Sequence, residues 1–235
     1  MGQPTETNSP IVDQVLTRMR ARAVIFDLDG TLIDNNSFHL ISWQRYLKNI
    51  GKDISEEEYR VHINGRTNKD AIEYIYGRKM KDDEAMEYAL QKEEIYRNLY
   101  KPLIKPVSGL IQFLTDLDNH GIPMAIATSG IQVNIDFMFE NIPIRQYFKT
   151  VINSTHIKYG KPDPEIYFKT AKALGVPARQ CLVFEDSIVG IKAAKAAKMR
   201  VIAVSTTHSK EELAGADMIV ENYKPESFAT GILFG

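Results

Sequence analysis

A short apolar run that ends in two closely spaced aspartates constrains the fold more than any other stretch. Residues 23–26 are Ala-Val-Ile-Phe, and Asp27-Leu-Asp29-Gly-Thr31 follows directly. Four consecutive apolar residues are typical of a strand buried on both faces. A carboxylate at the end of such a strand is costly to bury unless a cation meets it. Since α/β sheets bind ligands at the carboxyl ends of their strands, Asp27 and Asp29 are predicted to form the floor of a site.

Apolar runs and amphipathic stretches alternate along most of the chain. Strands are predicted at residues 23–26, 122–127, 150–152, 181–184, 200–204 and 217–220. Helices are predicted at residues 11–19, 108–119, 133–140, 164–174 and 188–198. The pattern indicates an α/β fold with a doubly wound, parallel, Rossmann-like sheet.

Residues 36–100 interrupt this alternation with helical patterns and no convincing strand. Ser55, followed by three glutamates, is typical of a helix start. We therefore expect an all-helical domain inserted into the α/β core. The predicted division is an N-terminal tail and short helix at 1–20, a core made of 21–35 and 101–235, and the helical insert at 36–100.

The composition argues against several functional classes. The net charge of −1 gives no reason to expect a nucleic acid or an anionic membrane as a partner. No apolar run approaches the ~18–20 residues that a membrane span needs, and residues 1–10 lack the pattern of a signal peptide. Cys181 is the single cysteine, so a reducing compartment is expected, and we predict a cytoplasmic protein.

Polar residues follow three further predicted strands and are expected at the same edge of the sheet as Asp27 and Asp29. They are Thr128, Ser129, Lys161, Glu185 and Asp186. Clustered carboxylates cannot stay unpaired, and a set of ligands that offers only oxygen suits Mg²⁺. A hydroxyl, a backbone N–H group and a lysine suit a phosphate group.

Each residue could also have a purely structural role, with no part in binding or catalysis. Thr128 or Glu185 could belong to a helix cap, and Lys161 could be a solvated loop lysine. Asp29 and Gly30 could form an ordinary turn. We favour a site because the alternatives would each need an independent coincidence of placement.

In order and spacing, these residues resemble the four signature motifs of the haloacid dehalogenase superfamily. The motifs here are Asp27-Leu-Asp-Gly-Thr31, Thr128-Ser129, Lys161 and Glu185-Asp186. The resemblance implies that Asp27 is a nucleophile and a Mg²⁺ ligand, and that Asp29 is an acid and base whose backbone oxygen also binds the metal. It implies that Thr128, Ser129 and Lys161 bind the phosphoryl group, that Glu185 and Asp186 complete the metal site, and that the insert is a cap.

Within the superfamily, the chain is most similar to β-phosphoglucomutase and its phosphatase relatives. His39 lies twelve residues after Asp27, and Lys92 falls where the mutases have a cap lysine. The resemblance implies that this pair senses the sugar phosphate and triggers closure of the cap. The alternatives are a surface histidine near a hinge and one more exposed lysine on a charged helix.

One loop of the cap departs from the mutase pattern. The mutases have Lys-Gly-Val-Ser-Arg, whose arginine holds the second phosphate, whereas residues 64–68 are Asn-Gly-Arg-Thr-Asn. Loss of a bidentate arginine weakens the grip on a bisphosphate intermediate, although Arg66 could substitute from a shifted position. We therefore expect hydrolysis of a small phosphate monoester, such as a sugar phosphate, through an aspartyl-phosphate on Asp27.

Other functions stay open at this point. The first alternative is a β-phosphoglucomutase that interconverts β-glucose 1-phosphate and glucose 6-phosphate. A pyrophosphatase and a catalytically silent phosphate-binding protein are further alternatives. A small phosphorylated metabolite as partner, Mg²⁺ as cofactor and a monomeric state are expected.

Overall fold

The apolar run that precedes Asp27 forms an interior strand of a seven-stranded sheet. The structure is a computed structural model that describes residues 9–233. Within them the strands are β1 (Ala23–Phe26), β2 (Met124–Ala127), β3 (Phe148–Ile152), β4 (Cys181–Glu185), β5 (Arg200–Val204), β6 (Met218–Val220) and β7 (Ile232–Leu233). The α-helices of the same range are α1 (Pro10–Met19), α2 (Asn36–Asn49), α3 (Glu56–His62), α4 (Asn68–Tyr76), α5 (Asp82–Tyr100), α6 (Leu110–Asn119), α7 (Gln132–Asn141), α8 (Glu165–Leu174), α9 (Ile188–Ala196) and α10 (Pro225–Ala229).

The strands lie in the order β3-β2-β1-β4-β5-β6-β7. The first six are parallel, and β7 pairs with β6 in the antiparallel direction. Ile25 of β1 lies opposite Ala125 of β2 and Val183 of β4. The carboxyl ends of these three strands therefore meet at one edge, where such sheets bind ligands. The predicted α/β fold with a doubly wound parallel sheet is confirmed.

Alternate residues of β1 supply the two faces of the core, as the pleat of a strand requires. Val24 and Phe26 belong to a hydrophobic cluster that includes residues of α1, α6 and α7. Ala23 and Ile25 belong to a second cluster that includes residues of α8 and α9. Because burial of one such large side chain stabilises by about 1.5–3 kcal/mol, β1 is held firmly from both sides.

Helices α2 to α5 fill residues 36–100 and share a hydrophobic cluster of their own. Trp43 and Leu47 of α2 pack there with Ile72 of α4 and Ala85 of α5. The side chain of Ser55 accepts a hydrogen bond from the N–H of Glu58 at 3.1 Å, which caps α3. The helical insert, called the cap from here on, is therefore confirmed, while the exact domain boundaries stay predictions.

The observed elements differ from the predicted ones mainly at their ends. β3 begins two residues earlier than predicted, and α9 ends two residues earlier. Neither α10 nor β7, which has only two residues, was predicted. Residues 1–8 of the predicted tail lie outside the described range. None of the helices in residues 9–233 combines the length and the apolar character that a membrane crossing requires.

Candidate active site

Side chains from the ends of β1 and β4 meet around the ammonium group of Lys161. Its Nζ donates hydrogen bonds to Asp27 Oδ1 and Glu185 Oε1, both at 2.6 Å, and to the carbonyl oxygen of Ala127 at 3.3 Å. Lys161 lies in the loop between β3 and α8 and is almost fully buried. Its three donors are all used inside the site, so the lysine balances the carboxylates.

Both carboxylate oxygens of Glu185 are occupied by donors of the protein. Oε1 also accepts from the hydroxyl of Tyr167 at 3.0 Å, and Oε2 accepts from the N–H of Asp186 and from the N–H and hydroxyl of Ser187, each at 2.9 Å. Burial alone would raise the pKa of Glu185, but Lys161 and Ser187 hold it below its usual value. Glu185 therefore orients Lys161 and has less capacity left for a metal ion than its neighbours.

Asp27 and Asp186 complete an oxygen cluster that fits a divalent cation. One oxygen from each of Asp27, Glu185 and Asp186 lies within 4.8 Å of the others. Burial, opposed by Lys161 and reinforced by Glu185, raises the pKa of Asp27 to about 8. Burial together with Glu185 and Asp27 raises the pKa of Asp186 well above its usual value. Three carboxylates thus share one lysine, and Mg²⁺, which prefers oxygen ligands, would relieve the excess of negative charge.

The side chain of Asp29 lies apart from that cluster. Its Oδ1 accepts hydrogen bonds from Asn35 Nδ2 at 2.5 Å and from His39 Nε2 at 3.3 Å. Burial would raise the pKa of Asp29, but His39 and Asn35 hold it below its usual value. Gly30 directly follows Asp29. It has φ 73°, and a Cβ at this position would collide with the carboxylate of Asp186. The turn therefore gives Asp27 and Asp29 different surroundings.

A buried chain of polar groups connects the cap to Asp29. Lys92 Nζ donates to His39 Nδ1 at 2.7 Å and to Glu93 Oε1 at 3.0 Å. Glu93 Oε2 accepts from Nδ2 of Asn134, a residue of α7 in the core, at 2.7 Å. His39 and Lys92 are both buried. The interpretations of His39 as a surface histidine and of Lys92 as an exposed lysine are therefore wrong.

The two hydroxyl residues after β2 serve different contacts. Thr128 Oγ1 accepts a hydrogen bond from the N–H of Gly130 at 2.9 Å, as a turn cap would. Ser129 Oγ donates to the carbonyl oxygen of Gly65 at 3.0 Å. Gly65 lies in the loop between α3 and α4, so this bond joins the core to the cap directly above the site.

A chamber of about 60 Å³ lies between the sheet edge and the cap. The predicted site residues in its walls are Asp27, Asp29, His39, Arg66, Lys92, Thr128, Ser129 and Asp186. Lys161 and Glu185 lie outside these walls and support Asp27 from behind. Its walls come from both the core and the cap.

Arg66 is the cap residue whose side chain is left without a partner at the chamber. Within residues 9–233 its guanidinium group makes no hydrogen bond or ion pair, and its Nε is buried. A buried, unpaired guanidinium nitrogen is costly, which favours an anionic or polar ligand beside it.

Several residues of the site were missed by sequence reasoning. They are Asn35, Tyr59, Glu93, Asn134 and Thr207. Asn35 follows the first motif closely, and that proximity was the one available signal. Tyr59 and Glu93 occur among surface-like glutamates, and the hydroxyl of Thr207 reaches Asp186 from a loop after β5.

The sequence of the chain matches a known protein family. A sequence model described as haloacid dehalogenase-like hydrolase matches residues 24–204, which include all four motifs. The chain belongs to this family. The predicted superfamily is thereby confirmed on more than half of the chain.

Curated relatives include phosphatases and a mutase. Fructose-1-phosphate phosphatase YqaB of Escherichia coli is 29% identical over 186 residues, which cover 79% of this chain and 97% of that protein. β-Phosphoglucomutase of Bacillus subtilis is 28% identical over 207 residues, which cover 85% of this chain and 88% of that protein. The chloroplastic 5-amino-6-(5-phospho-D-ribitylamino)uracil phosphatase of Arabidopsis thaliana is 29% identical over 197 residues, and the chain spans 53% of its length.

A solved structure supports the same assignment. A family IA, variant 3 hydrolase of the haloacid dehalogenase class from Entamoeba histolytica superposes with a TM-score of 0.77 at 34% identity, over 88% of this chain and 97% of that one. The family and these relatives show that the chain is an enzyme of the phosphatase or phosphomutase type.

Proposed function

We propose that the protein is a Mg²⁺-dependent phosphotransferase that hydrolyses small phosphate monoesters, such as sugar phosphates, through an aspartyl-phosphate on Asp27. One observation carries the proposal. The carboxylate of Asp27 lies in the wall of the chamber, fixed by Lys161 at 2.6 Å, while Asp29, two residues on, faces the same chamber from different surroundings. Two carboxylates with separate environments suit separate roles as nucleophile and as acid and base.

The oxygen cluster would hold the metal ion. Asp27, Asp186 and the backbone oxygen of Asp29 are the proposed ligands, with Glu185 contributing through its hold on Lys161. When bound, Mg²⁺ supplies positive charge that offsets the charge of the phosphoryl oxygens and of the buried carboxylates.

The proposed reaction has two steps. A carboxylate oxygen of Asp27 attacks phosphorus, and the bond from phosphorus to the ester oxygen breaks. Asp29, which is ionised while it is bonded to His39 and takes up a proton once bound substrate separates the two, gives that proton to the leaving alcohol. Asp29 then takes a proton from a water molecule, whose oxygen attacks phosphorus and releases inorganic phosphate from Asp27. Lys161 keeps Asp27 oriented throughout, and the phosphoryl oxygens bind at the loop of Thr128 and Ser129.

The cap is proposed to control access and to exclude water that is not reacting. Ser129 must release the carbonyl of Gly65 when the cap opens, because that hydrogen bond joins the core to the cap. His39 and Lys92 connect the cap to the carboxylate of Asp29, so closure of the cap sets the hydrogen bonding of Asp29.

One observation favours the mutase as a second candidate. A mutase must bind a phosphate group at each end of its bisphosphate, and the unpaired side chain of Arg66 lies in the chamber wall where a second phosphate could bind. The phosphatase is preferred because Asn68 replaces the arginine of the mutase loop and donates a hydrogen bond to Glu93 at 2.9 Å.

The two candidates are separated by one incubation. The protein is mixed with Mg²⁺, β-glucose 1-phosphate and a trace of glucose 1,6-bisphosphate, and both glucose 6-phosphate and free phosphate are followed. Free phosphate supports the phosphatase, while glucose 6-phosphate without phosphate release identifies a mutase. A panel of sugar phosphates and pyrophosphate then defines the leaving group.

We further propose a cytoplasmic, monomeric enzyme whose partner is a small phosphorylated metabolite rather than a nucleic acid or a membrane. The single buried cysteine, Cys181, and the near-neutral net charge support this proposal.

A further inference from the structure

Tyr59 belongs both to the hydrophobic cluster of the cap and to the wall of the chamber. The residue lies on α3, is 7% exposed and packs in the hydrophobic cluster of Trp43 and Ile72. It also forms part of the chamber wall. Within residues 9–233 the hydroxyl makes no hydrogen bond, whereas the hydroxyl groups of Tyr96 and Tyr167 are bonded to Asn35 and Glu185.

The charges around this hydroxyl limit what it can bind. Burial, reinforced by the carboxylates of Asp29, Asp186 and Glu93, raises the pKa of Tyr59. The group is therefore a neutral hydroxyl at every working pH and is free to donate its proton. Three carboxylates nearby oppose an anionic group at this point, so the expected partner is a neutral acceptor.

A second residue of the chamber wall, Glu93, narrows the chemistry of the ligand further. Glu93 Oε2 accepts one hydrogen bond from Asn134 and has capacity for another, because a carboxylate oxygen has two lone pairs. Glu93 lines the same chamber as Tyr59. A ligand group that contacts both side chains would need to accept a hydrogen bond from the tyrosine and donate one to the carboxylate. An alcohol does both, whereas a phosphate, a carboxylate or a ketone does not.

We propose that Tyr59 is a specificity-determining residue that donates a hydrogen bond to a hydroxyl group of the leaving alcohol, so that the enzyme selects polyhydroxylated phosphate esters over plain alkyl phosphates. The proposal rests on the function proposed above and specifies its substrate class. It applies to the cap side of the chamber and is independent of the second-phosphate role considered for Arg66.

Binding is measured in a background that cannot turn over the ligand. Trp43 is the single tryptophan of the chain and lies in the chamber wall, so its fluorescence reports occupancy. In an Asp27→Asn background with Mg²⁺, the dissociation constants of sorbitol 6-phosphate and ethyl phosphate are measured with Tyr59 present and with Tyr59→Phe. Tyr88→Phe is the matched control, because Tyr88 lies on α5 of the cap but outside the chamber wall.

Tyr59→Phe is expected to raise the dissociation constant of sorbitol 6-phosphate by about threefold to tenfold, which is the effect of one neutral hydrogen bond. The dissociation constant of ethyl phosphate should change by less than about twofold. Tyr88→Phe is expected to change neither constant. Equal weakening of both ligands, no weakening of either, or failure of both to bind overturns the proposal. Turnover by the unmodified enzyme is assayed separately, so a failed catalytic function is told apart from a failed role for Tyr59.

Discussion

The ammonium group of Lys92 lies 2.7 Å from Nδ1 of His39, which makes Nδ1 the acceptor of this contact. An ammonium group can only donate, so Nδ1 must accept. The opposite nitrogen, Nε2, is then a donor 3.3 Å from Asp29 Oδ1. Lys92 therefore orients the donor that faces the proposed acid and base.

We expect Lys92→Met to lower kcat by about tenfold to a hundredfold, with a smaller change in KM, because His39 loses the partner that fixes its tautomer. Steady-state rates of phosphate release test this expectation. The control is Lys81→Met, which removes an exposed lysine just before α5. Equal rates for both variants would show that the contact between Lys92 and His39 has no part in catalysis.

A second expectation concerns the metal. At a Mg²⁺ concentration of 100 times its dissociation constant, bound ion should raise the free energy of unfolding by about 2.7 kcal/mol. Asp186→Asn should remove most of this gain, while the metal-free protein should become no less stable because one buried carboxylate charge is gone. Urea unfolding with Mg²⁺ and with a chelator measures both effects.

Asp136→Asn serves as the control for the metal experiment, since Asp136 is exposed on α7 and bonded to Gln132. This variant should keep the full Mg²⁺ effect. An undiminished Mg²⁺ effect in Asp186→Asn would place the metal somewhere other than the cluster of Asp27, Glu185 and Asp186.

The contribution of Asp217 to the stability of the protein should depend on pH. Its carboxylate accepts from Lys195 at 2.9 Å, Arg200 at 2.7 Å and the N–H of Val201 at 2.8 Å. Burial would raise the pKa of Asp217, but these donors lower it beneath 3.8. Because the folded pKa lies below the unfolded one, the stabilisation is fully present above pH 3.8 and is lost as the pH falls through the folded pKa.

Asp217→Asn should therefore lower the free energy of unfolding at pH 7 by about 1–3 kcal/mol. The difference from the unmodified protein should shrink as the pH is taken below 3.8, as urea unfolding across the range would show. Glu221→Gln, which breaks the exposed pair with Lys210, should change the stability by less than about 0.5 kcal/mol. A difference for Asp217→Asn that is constant with pH contradicts the assignment.

The parts of the fold that could be predicted are those with a local signal. The run 23–26 is apolar without interruption because β1 is covered on both faces, and Asp27 follows it because the strand ends at the site edge. The polar residues after β2 and β4 could be placed for the same reason. Because β2 and β4 both pair with β1 in parallel, the carboxyl ends of the three strands lie at the same edge of the sheet.

What could not be predicted depends on packing between distant elements. Glu93 lies beside Lys92 and Glu94 on a charged helix, and nothing local shows that α5 turns it toward Asn134 of α7. Tyr59 follows three glutamates, yet it is buried because the cap closes around its ring. β7 has two residues, too few for a periodic pattern to appear.

The central claim is that phosphoryl transfer proceeds through the carboxylate of Asp27. The most direct measurement compares Mg²⁺-dependent phosphate release by the unmodified protein and by Asp27→Asn, with circular dichroism and urea unfolding to show that both are folded. We expect the unmodified protein to turn over and the folded variant to release no phosphate, because an amide cannot serve as the nucleophile. Turnover by Asp27→Asn at the unmodified rate would contradict the account.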